Sequence, residues 1–222
     1  MSTSNPGIGT VDGRSAVVIS SRHNIAASAG PRRRGRPPPH VPGEPGVWIL
    51  LFGDLSAFAI LFALYLHQRG QHPELFAASQ ATLNRSLGAT NALVLLASSL
   101  LVAMATGAVH RAESRRLARP LLLGAMVCGA VFIAIKSVEY HEKLAFGLTP
   151  GTNDFYMYYF VLTGIHLAHL VFGLAALFVL WKLARATTLT PSHRKFFEAG
   201  ACFWHMVDML WIVIFALLFL VR

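Results

Sequence analysis

Five long apolar runs separated by short polar stretches dominate the chain after its first 46 residues. They extend from about Val47 to Leu66, Leu87 to Val109, Pro120 to Tyr140, Phe155 to Trp181 and Ala199 to Val221. Each approaches or exceeds the ~20 residues that an α-helix needs to cross a ~30 Å hydrocarbon layer. Pro120 suits a helix start, where its missing N–H costs nothing. The pattern predicts an all-α fold, an integral membrane bundle of five transmembrane helices over residues 47–222. Residues 1–46 are different in kind. They contain GPRRRGRPPPH and are rich in Gly, Ser and Pro, so they have too few apolar residues to bury a core. They are read as a disordered, basic, Pro-rich tail.

Composition sharpens this picture. Of 222 residues 55% are apolar and only 13% are charged, about half the charge of an average soluble chain. The formal net charge of +9 does not point to nucleic acid, because the basic residues form short clusters between apolar runs and no continuous face. Instead they orient the chain. Arg14, Arg22, Arg32, Arg33, Arg34 and Arg36 of the tail, Arg111, Arg115, Arg116 and Arg119 of the second loop, and Lys182, Arg185, Arg194 and Lys195 of the fourth fall on one side. Only Arg69, Arg85, Lys143 and Arg222 fall on the other. The positive-inside rule then puts the N-terminus in the cytoplasm and the C-terminus outside. The tail arginines serve topology and attraction to anionic lipid. Cys128 and Cys202 both lie in apolar runs, so neither a disulfide framework nor a zinc site follows. The N-terminus lacks the apolar segment of a secretory signal.

The ionisable residues inside the runs are the candidate chemistry. An ionised group at mid-membrane costs about 2.5–3.5 kcal/mol on insertion scales. Asp54, Lys136, Glu139 and Asp208 should therefore face the bundle interior, a lumen or a partner. Asp54 has no basic neighbour in sequence. It needs either a proton-exchanging environment or a hydrogen bond to Asn91 or a serine of the second run, where Asn91 and Ser98 share a face. Glu139 is flanked by Lys136 and Lys143, whose pairing lowers its burial cost, so a structural role near the outer interface is expected. In the fourth run His166 and His169 share a face with Tyr159 and Gly173. They are read as hydrogen-bonded interior histidines in preference to haem or metal ligands. In the fifth run Glu198, His205 and Asp208 share a face, with His205 and Asp208 one turn apart, and Trp204 and Trp211 lie on a neighbouring stripe. This reads as a polar packing and docking face. No catalytic, metal-binding or cofactor-binding residue is expected.

Four motifs, in order on consecutive runs, carry a resemblance. TNALVLLASS, VEYHEKLAFG, TGIHLAHLVFG and FFEAGACFWHMVDMLWIVIFALLF resemble segments of subunit III of the haem–copper oxidases (cytochrome c oxidase subunit III). The likeness is greatest to its short five-span bacterial branch, which includes the nitric-oxide-reductase-associated NorE-type proteins. The resemblance implies a non-catalytic multi-pass subunit of the bacterial inner membrane. It would support assembly, proton uptake and stability of catalytic subunit I, with subunit II alongside. Haem and copper would be in subunit I and none in this chain, and a structural phospholipid would be bound. Asp54 would occupy the place of the family's intramembrane carboxylate, often Glu, which has been linked to proton movement. The two leading helices of seven-span members, and the lipid cleft they form, have no counterpart here. The first Trp of the family's W-Y-W-H is Cys202. A nitric-oxide-reductase partner and, from another class, a proton-coupled transporter using Asp54, Glu139, His166, His205 and Asp208 as a relay are the alternative expectations.

Overall fold

The computed structural model describes residues 45–111, 115–185 and 190–221. The tail expected at residues 1–46 falls outside these, apart from Pro45 and Gly46, which begin the first helix. The described residues are mostly helical and contain no strand. Its helices are α1 (Pro45–Gln71), α2 (Pro73–Ala81), α3 (Arg85–His110), α4 (Ala118–Ala145, after a short 3₁₀ turn), α5 (Asp154–Leu183) and α6 (Pro191–Phe215). The last continues as a π-helical stretch, Ala216–Leu220. Five of them are long and apolar enough to cross a membrane, as the sequence predicts.

The helices outrun their apolar cores because polar caps set their ends. The Asn84 and Asn153 side chains accept from the backbone N–H of Leu87 and Tyr156, and Thr190 accepts from His193, each satisfying an otherwise orphaned donor. α6 thus starts eight residues before the apolar run that marks it. α4 ends at Ala145, and Gly147 just beyond it, with a φ of +71°, lets the Leu148 N–H turn back to the Lys143 carbonyl at 2.9 Å.

α3, α4, α5 and α6 form a ring in which each helix packs on the next, and α1 stands outside it against α5 and α6. Half of α6's most apolar window is buried, against 11% for α1, so α6 is the centre of the assembly and α1 its periphery. The outward faces are apolar. Ile49 and Phe52 of α1, Leu93 and Leu100 of α3 and Phe172 of α5 are well exposed, as a lipid-facing surface requires.

Trp204 is the largest knob in the centre. It lies between Gly129 of α4 and Gly173 of α5; a Cβ at Gly173 would come within 2.8 Å of the indole. These two glycines let three helices close around one side chain.

The apolar pattern does not predict α2. Phe76 fixes it, being fully buried between the rings of Tyr65 and Phe155. A polar seal surrounds it. The Asn153 amide donates to Ser79, Thr82 and Tyr156 join hydroxyls at 2.8 Å, and Lys143 donates to the Thr82 carbonyl at 2.7 Å. The Gln68 amide donates to Asp154 at 2.9 Å.

Candidate functional site

Three polar joints lie within the helical bundle. The first links α4 to α5. Lys136 donates to Glu139 Oε2 at 2.9 Å, and the Tyr159 hydroxyl donates to Glu139 Oε1 at 2.7 Å. Both charged residues are 1% exposed. The ammonium also lies over the rings of Trp211 (4.8 Å), Tyr159 (5.1 Å), Phe219 (5.7 Å) and Tyr140 (5.9 Å). Aromatic faces attract a desolvated cation, so the cage and the carboxylate together offset the cost of burying it. Tyr140 is held by Thr163 at 2.5 Å. Glu139 is near the C-terminal end of α4, faces inward and closes a buried network. Lys143 is not its second partner, because that ammonium is drawn to the Thr82 carbonyl.

The second joint links α1 to α5. Asp54 Oδ2 lies 3.5 Å from His169 Nε2. His169 Nδ1 is 2.8 Å from the Ile165 carbonyl. A carbonyl can only accept, so Nδ1 carries the hydrogen. The pairing of Asp54 with Asn91 or a serine of the second run is corrected: α1 packs on α5 and not on that face of α3. The Asn91 side chain is fully buried elsewhere, without a hydrogen-bond partner among the described residues.

His166 and His169 do not act as a pair. Three residues advance a helix by about 300°, and here the offset sends the two rings to different neighbours. His169 meets α1. His166 is fully buried against Phe132 and Trp211, with centroid distances of 5.7 and 5.3 Å. Neither of its nitrogens has a hydrogen-bond partner among the described residues, which corrects the expected hydrogen-bonded interior histidine.

The third joint links α6 to α3 and α4. Trp204 donates to the Ser98 hydroxyl at 3.1 Å, and Ser98 donates to the Ala125 carbonyl at 3.1 Å. One residue on, Ser99 lies 2.6 Å from His205 Nδ1. This replaces the expected meeting of His205 with Asp208. Asp208 is 3% exposed, and its carboxyl oxygens and the Trp211 indole N–H are without hydrogen-bond partners among the described residues. Asn91, His166, Asp208 and Trp211 are therefore interior groups and cannot form a docking face, because the ring closes over them. Glu198 is half-buried one turn and a half from Trp204. Sequence reasoning missed Ser99 and Thr163 and did not foresee the aromatic cage. The repeated serine at 98 and 99 and the aromatic run DFYMYYF were the available signals. Among the described residues no group of three or more His, Cys, Asp or Glu side chains is arranged to hold a metal ion.

The fold and these joints define a polytopic helical membrane protein whose intramembrane polar groups mainly join helix to helix. Comparison with known proteins narrows the class. The family model for cytochrome c oxidase subunit III matches residues 47–221, and the chain belongs to that family. It is 31% identical over 176 residues to cytochrome c oxidase subunit 3 of Synechocystis sp. (79% of this chain, 74% of the relative). It is 29% identical over 177 residues to a probable cytochrome c oxidase subunit 3 of Nocardia farcinica (80% and 87%). It is also 27% identical over 175 residues to the cytochrome bo(3) ubiquinol oxidase subunit 3 of Buchnera aphidicola (79% and 84%).

Proposed function

We propose that this chain is the non-catalytic third subunit of a haem–copper terminal oxidase in a bacterial inner membrane, with its N-terminus in the cytoplasm. It supports the assembly, proton uptake and stability of a catalytic subunit I that holds the haem and copper, with subunit II alongside. The observation that carries this reading is the family match across the whole five-helix body. The geometry agrees with it. Two intramembrane acids pair with bases in helix joints, Lys136–Glu139–Tyr159 and Asp54–His169, an arrangement suited to holding a rigid scaffold beside a partner. The Asp54–His169 joint places a carboxyl and an imidazole 3.5 Å apart between α1 and α5, which makes Asp54 the carboxylate to test for a part in proton uptake. The relatives cited are subunits of cytochrome c oxidases and of a ubiquinol oxidase by name, which favours an oxidase over a nitric oxide reductase.

The test is affinity purification of the tagged chain from native membranes in mild detergent. A haem- and copper-bearing subunit is expected to come with it, giving an oxidase spectrum and oxygen uptake. Recovery of the chain alone, or solute flux in vesicles containing only this chain, would reject the reading.

A further inference from the structure

The three joints leave four buried polar side chains of the helix ring unused: Asn91 of α3, His166 of α5, and Asp208 and Trp211 of α6. Asn91, His166 and Trp211 are 0% exposed and Asp208 is 3% exposed. The Asn91 amide, both His166 nitrogens, both Asp208 oxygens and the Trp211 N–H lack hydrogen-bond partners among the described residues. They lie at neighbouring levels of the bundle. α3 and α6 run antiparallel, with Ser98 bonded to Trp204 at one level and Gly88 against Phe215 at another, where a Cβ would come within 2.9 Å of the ring. Asn91 stands one turn from Gly88 and two from Ser98, while Asp208 and Trp211 stand one and two turns from Trp204. The register thus sets Asn91 opposite the stretch of α6 that carries Asp208 and Trp211. The His166 ring is 5.3 Å from that of Trp211, which brings α5 into the set.

The groups are complementary in kind. The Trp211 indole can only donate, the Asn91 amide does both, a neutral imidazole offers one donor and one acceptor, and a carboxylate accepts. Yet no two of them meet within hydrogen-bonding distance. Polar groups that approach one another without touching are joined by a molecule that donates and accepts at once, and inside a membrane an unjoined group is costly. Few molecules qualify. The ring covers all four side chains, so neither a lipid headgroup nor a helix of another chain reaches them. A hard cation takes about six or more oxygen ligands, and this set offers only the side-chain oxygens of Asp208 and Asn91. Water is small enough, and a buried water makes about three hydrogen bonds to groups of this sort.

We propose that the ring encloses a small cluster of bound water molecules between Asn91, His166, Asp208 and Trp211, which joins α3, α5 and α6 where their side chains do not bond directly. It is a fourth polar joint, built around solvent, and it gives the Asp208 carboxyl the hydrogen bonds that no side chain supplies. The site belongs to the bundle itself and is independent of the oxidase reading.

The experiment is X-ray radiolytic footprinting of the full chain, purified with whatever accompanies it and held in lipid nanodiscs. A brief pulse turns bound water into hydroxyl radicals, which oxidise the side chains beside it, and mass spectrometry reads the sites. Trp204 is the internal control, because it is as fully buried as Trp211 but has its N–H bonded to Ser98. Trp211 should be oxidised severalfold faster than Trp204. Asn91→Leu removes one wall of the site and should bring the Trp211 rate down towards that of Trp204, with the Trp204 rate unchanged. Equal protection of the two tryptophans in the unmodified chain means a dry core and overturns the proposal. So does rapid oxidation of Trp211 that Asn91→Leu leaves untouched, since the water is then elsewhere. A melting temperature that rises saturably with Na⁺ or K⁺ at fixed ionic strength, and falls back in Asn91→Leu, identifies a cation in the site and overturns it too. If Asn91→Leu also speeds oxidation of Trp204, that variant is loosened, and the contrast between the two tryptophans of the unmodified chain decides alone.

Discussion

Lys136 is the residue whose burial most needs explaining, and its surroundings supply the explanation. A lone ammonium inside a bundle would be strongly disfavoured. Here a carboxylate at 2.9 Å and four aromatic faces surround it. Removing one partner is therefore worse than removing both. Lys136→Met should destabilise the chain by about 3–5 kcal/mol by stranding Glu139, and Lys136→Met with Glu139→Gln should recover much of the loss. Thermal unfolding in detergent checks this, and equal losses for the single and double variants would show that the pair is not coupled. Asp54 is a different case, half-exposed at the edge of the ring and paired at the longer distance of 3.5 Å. Asp54→Asn should leave assembly intact, since an amide fits the same space, but should change the rate at which the oxidase inactivates during turnover. An unchanged functional lifetime would reject a proton role for Asp54. Single residues were only partly legible in the sequence. That Asp54 and Glu139 needed partners followed from the cost of burying charge. Which partners they found did not follow, because His169 and Tyr159 are distant in sequence and meet them only through helix packing.

At the level of the helix, length and identity were readable but ends and neighbours were not. Apolar content located five spans, while Asn84, Asn153 and Thr190 set where three of them begin. α2 escaped notice because its nine residues carry only one deeply anchoring side chain, Phe76. The α4–α5–α6 junction depends on two glycines around one indole. Gly173→Ala would place a methyl 2.8 Å from Trp204. It should cost about 1–3 kcal/mol as overpacking. Combining it with Trp204→Phe should cost less than the sum of the two single changes, because the smaller ring vacates the contested space. Additive losses in a double-mutant cycle would mean that the glycine is not there to admit the indole.

For the molecule as a whole, the sequence makes a claim about direction that the fold leaves open to experiment. The asymmetry of basic residues puts the α3–α4 loop in the cytoplasm and the α4–α5 loop outside. Cysteines introduced at Arg111 and Gly151 test it with a membrane-impermeant thiol reagent. Gly151→Cys should react in intact spheroplasts and Arg111→Cys only after permeabilisation; the reverse pattern would invert the orientation.

The number of spans and the inward demand of their acids and bases were determined by sequence alone, because both follow from the cost of placing polar groups in hydrocarbon. The motif order also carried the family resemblance. Only the tertiary structure decided that α1 stands outside a four-helix ring, that His166 and His169 part company, and that Ser99 rather than Asp208 holds His205. These outcomes depend on which helix faces touch. That is set by side-chain shape across helices, such as the slot that Gly129 and Gly173 open for Trp204, and hydropathy along a single helix carries no record of it.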